Sequence, residues 1–571
     1  MAERTEWLFE RTEAVVPAGG GMVAAKTATA AEAGAAVLRD GGNAVDAAVA
    51  AAFAAGVAEP WMNGVGGGGF MVVQLPDQDP AVVEYPMVAP AGAEPDMFPL
   101  SGAPADTALF GWPSVVDQAN IHGHRAVAIP GTVAGLSLAL ERFGTRSLAE
   151  MMAPAIQLAE EGVAVTWHTT LTIARDLGTL QRYPATADIF LDGARNPPVT
   201  IDQASPTMLK QLDLAGTLKT IAQEGPRAFY EGAIAQEIAN YLAENDAPLS
   251  QRDLSAYEAT VSSPVTARYR GHEILTVGGG SGGTSLIQAM MMLAELDIAQ
   301  LEHNTPEALH MVAQVFRMAF ADRFAYLADP AAIDVPLEAL LSPEYARERA
   351  AMLSSNRMGS PMAGTRERLG VSHQLAPSVP EYTSGSTTHL SVIDGNGGAV
   401  SLTQTLLALW GSRVVVPGTG ILLNNGMMWF DPEPGRPNSI AGGKRPLSNM
   451  APVVVTKDGR TVASLGASGG RRIMNCNAQL VMNLLDHGLS MQPAISAPRI
   501  DASTRDLYVS SRIPETTTAA LQALGHPIQR RVEGPGGAEF ASPVGIERLA
   551  NGELHGGADL FYPAMTISTG R

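Results

Sequence analysis

The chain of 571 residues has one cysteine, Cys476. That excludes an intramolecular disulfide and any cysteine-rich metal site, and it suits a reducing compartment. Long apolar runs are missing too: no stretch of about 18 residues escapes interruption, so a membrane-spanning helix is not expected. Positive charge is short, with 38 Lys and Arg against 57 Asp and Glu and a net charge of −19. Proteins that bind phosphate backbones concentrate Lys and Arg into a basic footprint, which this chain lacks, so a small-molecule partner is expected and a nucleic acid is not. The opening residues Met1 to Glu6 are charged, and no apolar stretch with a small-residue cleavage site follows. The chain therefore reads as cytoplasmic. There is no internal repeat and no low-complexity block that would indicate a solenoid.

What is present reads as a soluble globular protein, 46% hydrophobic and 17% charged. Its length implies two to four units or one large two-layer core. Met22 to Gly42 is alanine-rich and helical in texture, and Gly41-Gly42 supplies a stop. A second helix is expected over Ala44 to Ala55, with Asn43 as its cap and Asp46 near its positive end; both helices should be buried. Trp61 to Phe70 is too glycine-rich for regular structure and runs into the strand-like Met71 to Leu75. Thr305-Pro306-Glu307 starts a helix that buries one stripe through Leu309, Val312, Phe316, Phe320 and Leu327. Residues 354–386 have the Ser, Pro, Gly and charge texture of an exposed, mobile connector.

The segment after that connector carries the chemistry. Thr388 to Asp394 alternates, Asp394-Gly395-Asn396-Gly397-Gly398 turns, and Ala399 to Thr405 returns as a second strand. With a three-residue loop Asp394 pairs with Gly398, and the register then sets Thr387 opposite Thr405. A threonine hydroxyl is a weak nucleophile until a base takes its proton, and the amine of a threonine at a chain start is such a base. Its ordinary pKa of about 7.7 to 8.0 leaves a good fraction neutral near neutral pH. Thr387 is internal as written. Its hydroxyl would first have to attack the carbonyl of Ser386, move that acyl group from nitrogen to oxygen, and let water hydrolyse the ester. Taken alone, Gly385-Ser386-Thr387-Thr388 reads first as an exposed loop entering a strand, so neighbouring sequence has to decide.

The stretches TTHLSVID, GGAVSLTQTL, GTGILLNN, KRPLSNMAP and GASGGRRI resemble, in order and spacing, the small subunit of γ-glutamyltransferases. Earlier stretches, MVAAKTATAAEAGAAVLRDGGNAVDAAVAAAFAAGVAEP, GVGGGGFMVV, VAIPGTVAGLSLAL and GGGSGGTSLIQ, are similar to that family's large subunit. The resemblance covers nearly the whole chain. It implies an α+β fold, the four-layer αββα sandwich of N-terminal-nucleophile hydrolases, and a proenzyme cut into a large piece, 1–386, and a small piece, 387–571, that associate. It further implies Thr387 as nucleophile, Thr405 as the second threonine that hydrogen-bonds it, and Gly469 and Gly470 as the pair whose backbone N–H groups hold the oxyanion.

The match breaks down where relatives grip the amino-acid end of glutamate. Pro86 stands at the arginine position of the carboxylate-binding stretch. Leu407, Gly426 and Trp429 replace the groups that meet the α-ammonium. Ser448 is kept from a serine pair, while Asn449 replaces its partner and can still donate. A free α-ammonium and carboxylate placed there would lose charge-assisted hydrogen bonds worth roughly 1.5 to 3 kcal/mol each. The expected substrate is thus an amide with an uncharged or hydrophobic acyl arm, hydrolysed or transferred through an acyl-Thr387 intermediate. The shortened Asp431 to Gly443 stretch implies an open cleft.

Three other readings compete. One is a true γ-glutamyltransferase that binds glutamate differently; another is a non-catalytic binding homologue, opposed by Thr387, Thr405 and the glycine pair. The third is a nucleotide site: Gly278, Gly280 and Gly283 match GxGxxG, but Gly64, Gly66 and Gly69 repeat the spacing without a preceding strand, so glycine abundance explains the hit. His389, His122 and His124 lack companion carboxylates at ligand spacing and read as packing. No cofactor and no metal is expected.

Overall fold

The computed structural model describes residues 9–104, 111–360, 362–371, 386–535 and 539–568. Two seven-stranded sheets dominate it. Their strands are β1 (Ala14–Val16), β2 (Met22–Ala25), β3 (Gly68–Gln74), β4 (Ala81–Tyr85), β5 (Thr260–Ser262), β6 (Val265–Tyr269), β7 (His272–Thr276), β8 (Thr388–Ile393), β9 (Ala399–Thr405), β10 (Val453–Lys457), β11 (Arg460–Ser468), β12 (Ser542–Arg548), β13 (Leu554–Ala558) and β14 (Met565–Ser568). One sheet runs β14-β2-β8-β9-β3-β4-β5, the other β1-β13-β12-β11-β10-β7-β6. The β8–β9 hairpin is central in the first. Its register pairs Thr388 with Gln404 and Ile393 with Ala399, so the expected pairing is observed and Thr387 continues it opposite Thr405. Asp394 closes the turn, donating its N–H to Gly398 O at 2.9 Å and accepting through Oδ1 from Asn396 and Gly398.

Strand alternation makes the layers. On β8, Leu390 and Val392 face an outer layer built from α1 (Ala28–Arg39), α2 (Ala44–Ala58), α3 (Thr132–Phe143) and α4 (Leu148–Glu161). The opposite face meets the second sheet: Ser401 Oγ donates to Leu465 O at 3.0 Å, and His389 lies so close to Gly466 that a Cβ there would sit 2.3 Å from its ring. A further helix, α5 (Trp167–Leu180), lies at the rim. Helices α6 (Gly282–Ala294) and α8 (Arg472–Leu485) cover the second sheet and α7 (Pro306–Tyr326) packs on α6, completing an αββα sandwich.

Helix α2 is apolar all round and buried at every position, as its alanines permit. Asn43 accepts from Val45 and Asp46 N–H while Asp46 accepts from Asn43 N–H, a reciprocal cap worth about 1 kcal/mol. Gly34 of α1 lets the two helices touch, because a Cβ there would lie 2.8 Å from Ala47 O.

The structure departs from expectation at three elements. Met22–Ala25 is a strand, because pairing with β8 and β14 overrides its alanine-rich, helix-like texture. Helix α7 buries nearly every residue from Ala308 to Tyr326 instead of one stripe. Its Asp322 is covered by Tyr345 and Gly364, both of which donate to it. The same contacts draw in part of the presumed connector: Leu369 and Val371 are buried, and Arg366–Leu369 forms a helical turn. The rest of that connector, residues 361 and 372–385, lies outside the described residues.

Candidate active site

Thr387 sits at the mouth of β8, 3% exposed. Its Oγ1 lies 2.6 Å from the carbonyl oxygen of Ser386 and 3.4 Å from Thr405 Oγ1. Thr405, the last residue of β9, donates its hydroxyl to that same carbonyl at 2.8 Å and accepts from Leu407 N–H at 2.7 Å. Two hydroxyls therefore converge on the one peptide carbonyl that a self-cleaving threonine would attack. The Leu407 N–H fixes the direction of the Thr405 proton by occupying a lone pair of its oxygen. Leu407 itself has a φ of 92°, a conformation that leucine adopts only at a cost. The side chain was foreseen as pocket lining; the role of its backbone was not legible.

The remaining predicted residues fall into three groups. Gly426 and Trp429 occupy a short 3₁₀ turn held to the threonine hairpin through Asn425, whose N–H donates to Leu406 O and whose Oδ1 accepts from Ala408 N–H. Gly426 has no room for a side chain: a Cβ would lie 2.6 Å from Ala128 Cβ and 3.1 Å from Met87 Cβ, which brings it beside Pro86. Pro86 itself is buried, its carbonyl accepting from Tyr257 OH at 2.7 Å. Ser448 and Asn449 are held elsewhere, on the glycine loop before α6. Ser448 N–H donates to Gly280 O, and Gly282 N–H donates to Met450 O. A Cβ on Gly282 would meet Asn449 O at 2.3 Å, so this GxGxxG loop cradles the chain's own backbone. Arg323 was missed from sequence; its guanidinium, fully buried on α7, donates to Ser281 O, Ser448 O and Asn449 Oδ1. Gly469 and Gly470 follow β11 with φ of 142° and 63°, and Ala541 closes over Gly469 at 2.8 Å from where a Cβ would be.

Among the described residues the expected open cleft is not observed. Thr387, Thr405, Leu407, Gly426, Trp429, Ser448 and Asn449 are all buried. The short Asp431 to Gly443 stretch folds inward, because Asn438 donates to Trp429 O and accepts from Leu447 N–H. Lys444 adds donations to Pro437 O and Ser439 O.

Behind the nucleophile strand lies an ionisable network that sequence reading missed. Thr388 Oγ1 donates to Glu59 Oε1 at 2.7 Å, and Tyr562 OH reaches Glu59 Oε2 at 3.4 Å. Lys26 Nζ donates to Ser542 Oγ and stands 3.5 Å above the Tyr562 ring. Burial pushes Glu59 up to about 7, against the pull of Lys26 and of its hydrogen bonds. Burial brings Lys26 down to about 8, against Asp559 and Glu59. His389 is neutral, pushed down to about 3 by burial and Lys26, and bonds Thr403 and Ser391. His122 is likewise lowered, to about 4, by burial and nearby arginines. Among the described residues no cluster of three or more His, Cys, Asp or Glu could hold a metal, and no helix is long and apolar enough to cross a membrane.

An αββα sandwich with this hairpin at its centre defines an amide-cleaving enzyme of the N-terminal-nucleophile class, hydrolase or transferase, acting through an acyl-enzyme. The chain belongs to the γ-glutamyltranspeptidase family, whose profile, described as Gamma-glutamyltranspeptidase, matches residues 30–563. It is 39% identical to the acylase ACY 1 proenzyme of Pseudomonas sp. (strain SE83), over 91% of this chain and 90% of that one. It is 33% identical to the glutathione hydrolase proenzyme of Bacillus subtilis (strain 168), over 89% and 85%. Among solved structures, cephalosporin acylase from Bacillus halodurans superposes with a TM-score of 0.86 at 27% identity, covering 99% of each chain.

Proposed function

We propose that the chain cuts itself between Ser386 and Thr387 and that the freed threonine then hydrolyses amides with uncharged or apolar acyl arms. The observation that carries this reading is the convergence of the Thr387 and Thr405 hydroxyls on Ser386 O. Thr387 Oγ adds to the Ser386 carbonyl carbon, and negative charge develops on the oxygen to which Thr405 already donates. The C–N bond breaks, the Thr387 nitrogen takes the proton and becomes an amine, and Ser386 is left esterified to Oγ. Water hydrolyses that ester, giving pieces 1–386 and 387–571 that remain associated through the shared sheet.

In turnover the new α-amine accepts the Oγ proton as the hydroxyl attacks a substrate amide, and the departing amine carries the proton away. The N–H groups of Gly469 and Gly470 serve as oxyanion donors for this step, their glycine backbone allowing close approach. Water then releases the acyl group. The residues expected at the acyl end support the substrate class: Pro86, Leu407, Gly426 and Trp429 carry no charge. The higher identity to an acylase than to a glutathione hydrolase points the same way. The test compares kcat/KM for γ-glutamyl-p-nitroanilide with that for uncharged acyl p-nitroanilides such as hexanoyl. Preference for the uncharged series is expected; preference for the γ-glutamyl compound would overturn the pocket reading.

A further inference from the structure

A cavity of about 530 Å³ opens beside α5, walled by Phe9, Trp61, Trp167, His168, Phe561 and Tyr562. Composition does not explain such a gathering, since Phe, Trp and Tyr together make only 5% of the chain. The rings are arranged edge to face: His168 meets Tyr562 at 4.5 Å and 70°, and Trp167 meets His168 at 5.5 Å and 87°. Burial, with Lys26 and Arg175, lowers His168 to about 4, so its ring is neutral at pH 7 and acts as an aromatic wall. Trp167 stands at the mouth, 54% exposed, a large ring left in water at the first residue of a helix.

Several polar groups of the cavity are already engaged. Thr166 caps α5 by accepting from Thr169 N–H. Arg11 donates its two Nη groups to Ala564 O and Tyr562 O, while its buried Nε has no partner among the described residues. The rest of the lining is mostly aromatic and aliphatic, and it offers a neutral ring the faces and edges of Phe9, Trp61, Trp167, His168, Phe561 and Tyr562. The volume lies within the roughly 300 to 1,000 Å³ of small-molecule sites.

The cavity is also tied to the nucleophile strand, although none of Pro86, Leu407, Gly426 or Trp429 lines it. Tyr562 bonds Glu59, which holds Thr388. Trp61 O accepts from Trp410 N–H, and Met62 O from Leu406 N–H, just beyond Thr405. We propose that this cavity is a second binding site, for an uncharged one- or two-ring aromatic molecule, and that its occupancy acts on Thr387 through Tyr562, Glu59 and Thr388.

Calorimetry with indole on the full-length protein tests the binding without requiring turnover, so failure of the catalytic reading leaves it intact. One indole per chain is expected. Ala164→Trp, which fills the cavity, should abolish the heat with Tm unchanged; Trp167→Ala, a rim change that does not threaten folding, should weaken Kd up to about tenfold. Saturating indole should alter kcat for an acyl anilide at least twofold in the wild type and leave Ala164→Trp unaffected. Absence of binding, or binding undiminished by both substitutions, would overturn the site. A raised KM with unchanged kcat would overturn the coupling and put the ring in the acyl pocket instead.

Discussion

Thr387 and Thr388 are consecutive and chemically alike, yet alternation along β8 sends them to opposite faces of the sheet. Thr387 turns toward the gap between the sheets, where among the described residues its hydroxyl is hydrogen-bonded to a peptide carbonyl and a second hydroxyl. Thr388 turns toward the helical layer and ends on a buried carboxylate. The contrast teaches that the hydroxyl's partner, more than the residue type, assigns the work: a polarised carbonyl invites attack, while a carboxylate at hydrogen-bond distance only anchors the strand. Separating the two faces is the sharpest test. Thr387→Ala should leave a single 571-residue chain by denaturing mass spectrometry and reduce acyl-anilide turnover to background. Thr388→Val should still yield the piece beginning at Thr387. If both variants stayed intact, the division of labour proposed for the two faces would fail.

The next effect in size belongs to Thr405. Thr405→Val keeps the shape but removes the donor to Ser386 O, so self-cleavage should slow by about 10²- to 10³-fold, the usual loss for one oxyanion donor. Thr405→Ser should recover most of that rate. Following the appearance of the small piece on denaturing gels over days measures both, and a Thr405→Val protein that matured at the wild-type rate would remove Thr405 from the mechanism.

Much of this face could be read from the residues. The Asp394 to Gly398 turn cluster fixes the loop length, and the loop length fixes which residue opposes Thr387, so hairpin chemistry is local and legible. The Asn43 and Asp46 cap is legible for the same reason. The other face was not, because Lys26, Glu59, Thr388 and Tyr562 meet only through tertiary folding and share no spacing or motif. Met22–Ala25 was misread since its strand state comes from neighbours and not from its own composition. The closed acyl pocket was misread because a shorter loop implied openness, whereas the amide of Asn438 pulls that loop inward.

Leu407 joins the two comparisons, its N–H serving Thr405 and its side chain standing where the family resemblance implies an asparagine. Leu407→Asn retains the backbone donor, and asparagine tolerates positive φ better than leucine, so strain does not confound the result. The restored amide should raise kcat/KM for γ-glutamyl-p-nitroanilide relative to the hexanoyl compound by about tenfold, the worth of one hydrogen bond to a charged group. An unchanged ratio would mean that position 407 does not face the acyl group.

The smallest effect concerns the anchoring face and is a matter of stability against pH. Glu59 is raised from 4.5 to about 7, so the fold binds its proton more tightly than the unfolded chain does. That contribution is complete below pH 4.5 and disappears as pH rises through 7. Lys26, lowered from 10.5 to about 8, acts oppositely: the unfolded chain holds its proton more tightly, and stability recovers as pH climbs from 8 toward 10.5. Between about 7 and 8 both groups are charged and buried, and the network costs most. Glu59→Gln removes the acidic arm. Its urea-unfolding free energy should therefore fall less than that of the wild type between pH 5 and 7.5, by on the order of 2 kcal/mol, with cleavage at Thr387 preserved. Thr388→Val takes a donor from the same carboxylate and should lower stability by about 1 kcal/mol at pH 7.5, and by less at pH 5, where a protonated Glu59 needs that donor less. Equal losses at the two pH values would mean that Thr388 is only packed against Glu59, and the two faces of β8 would differ in position alone.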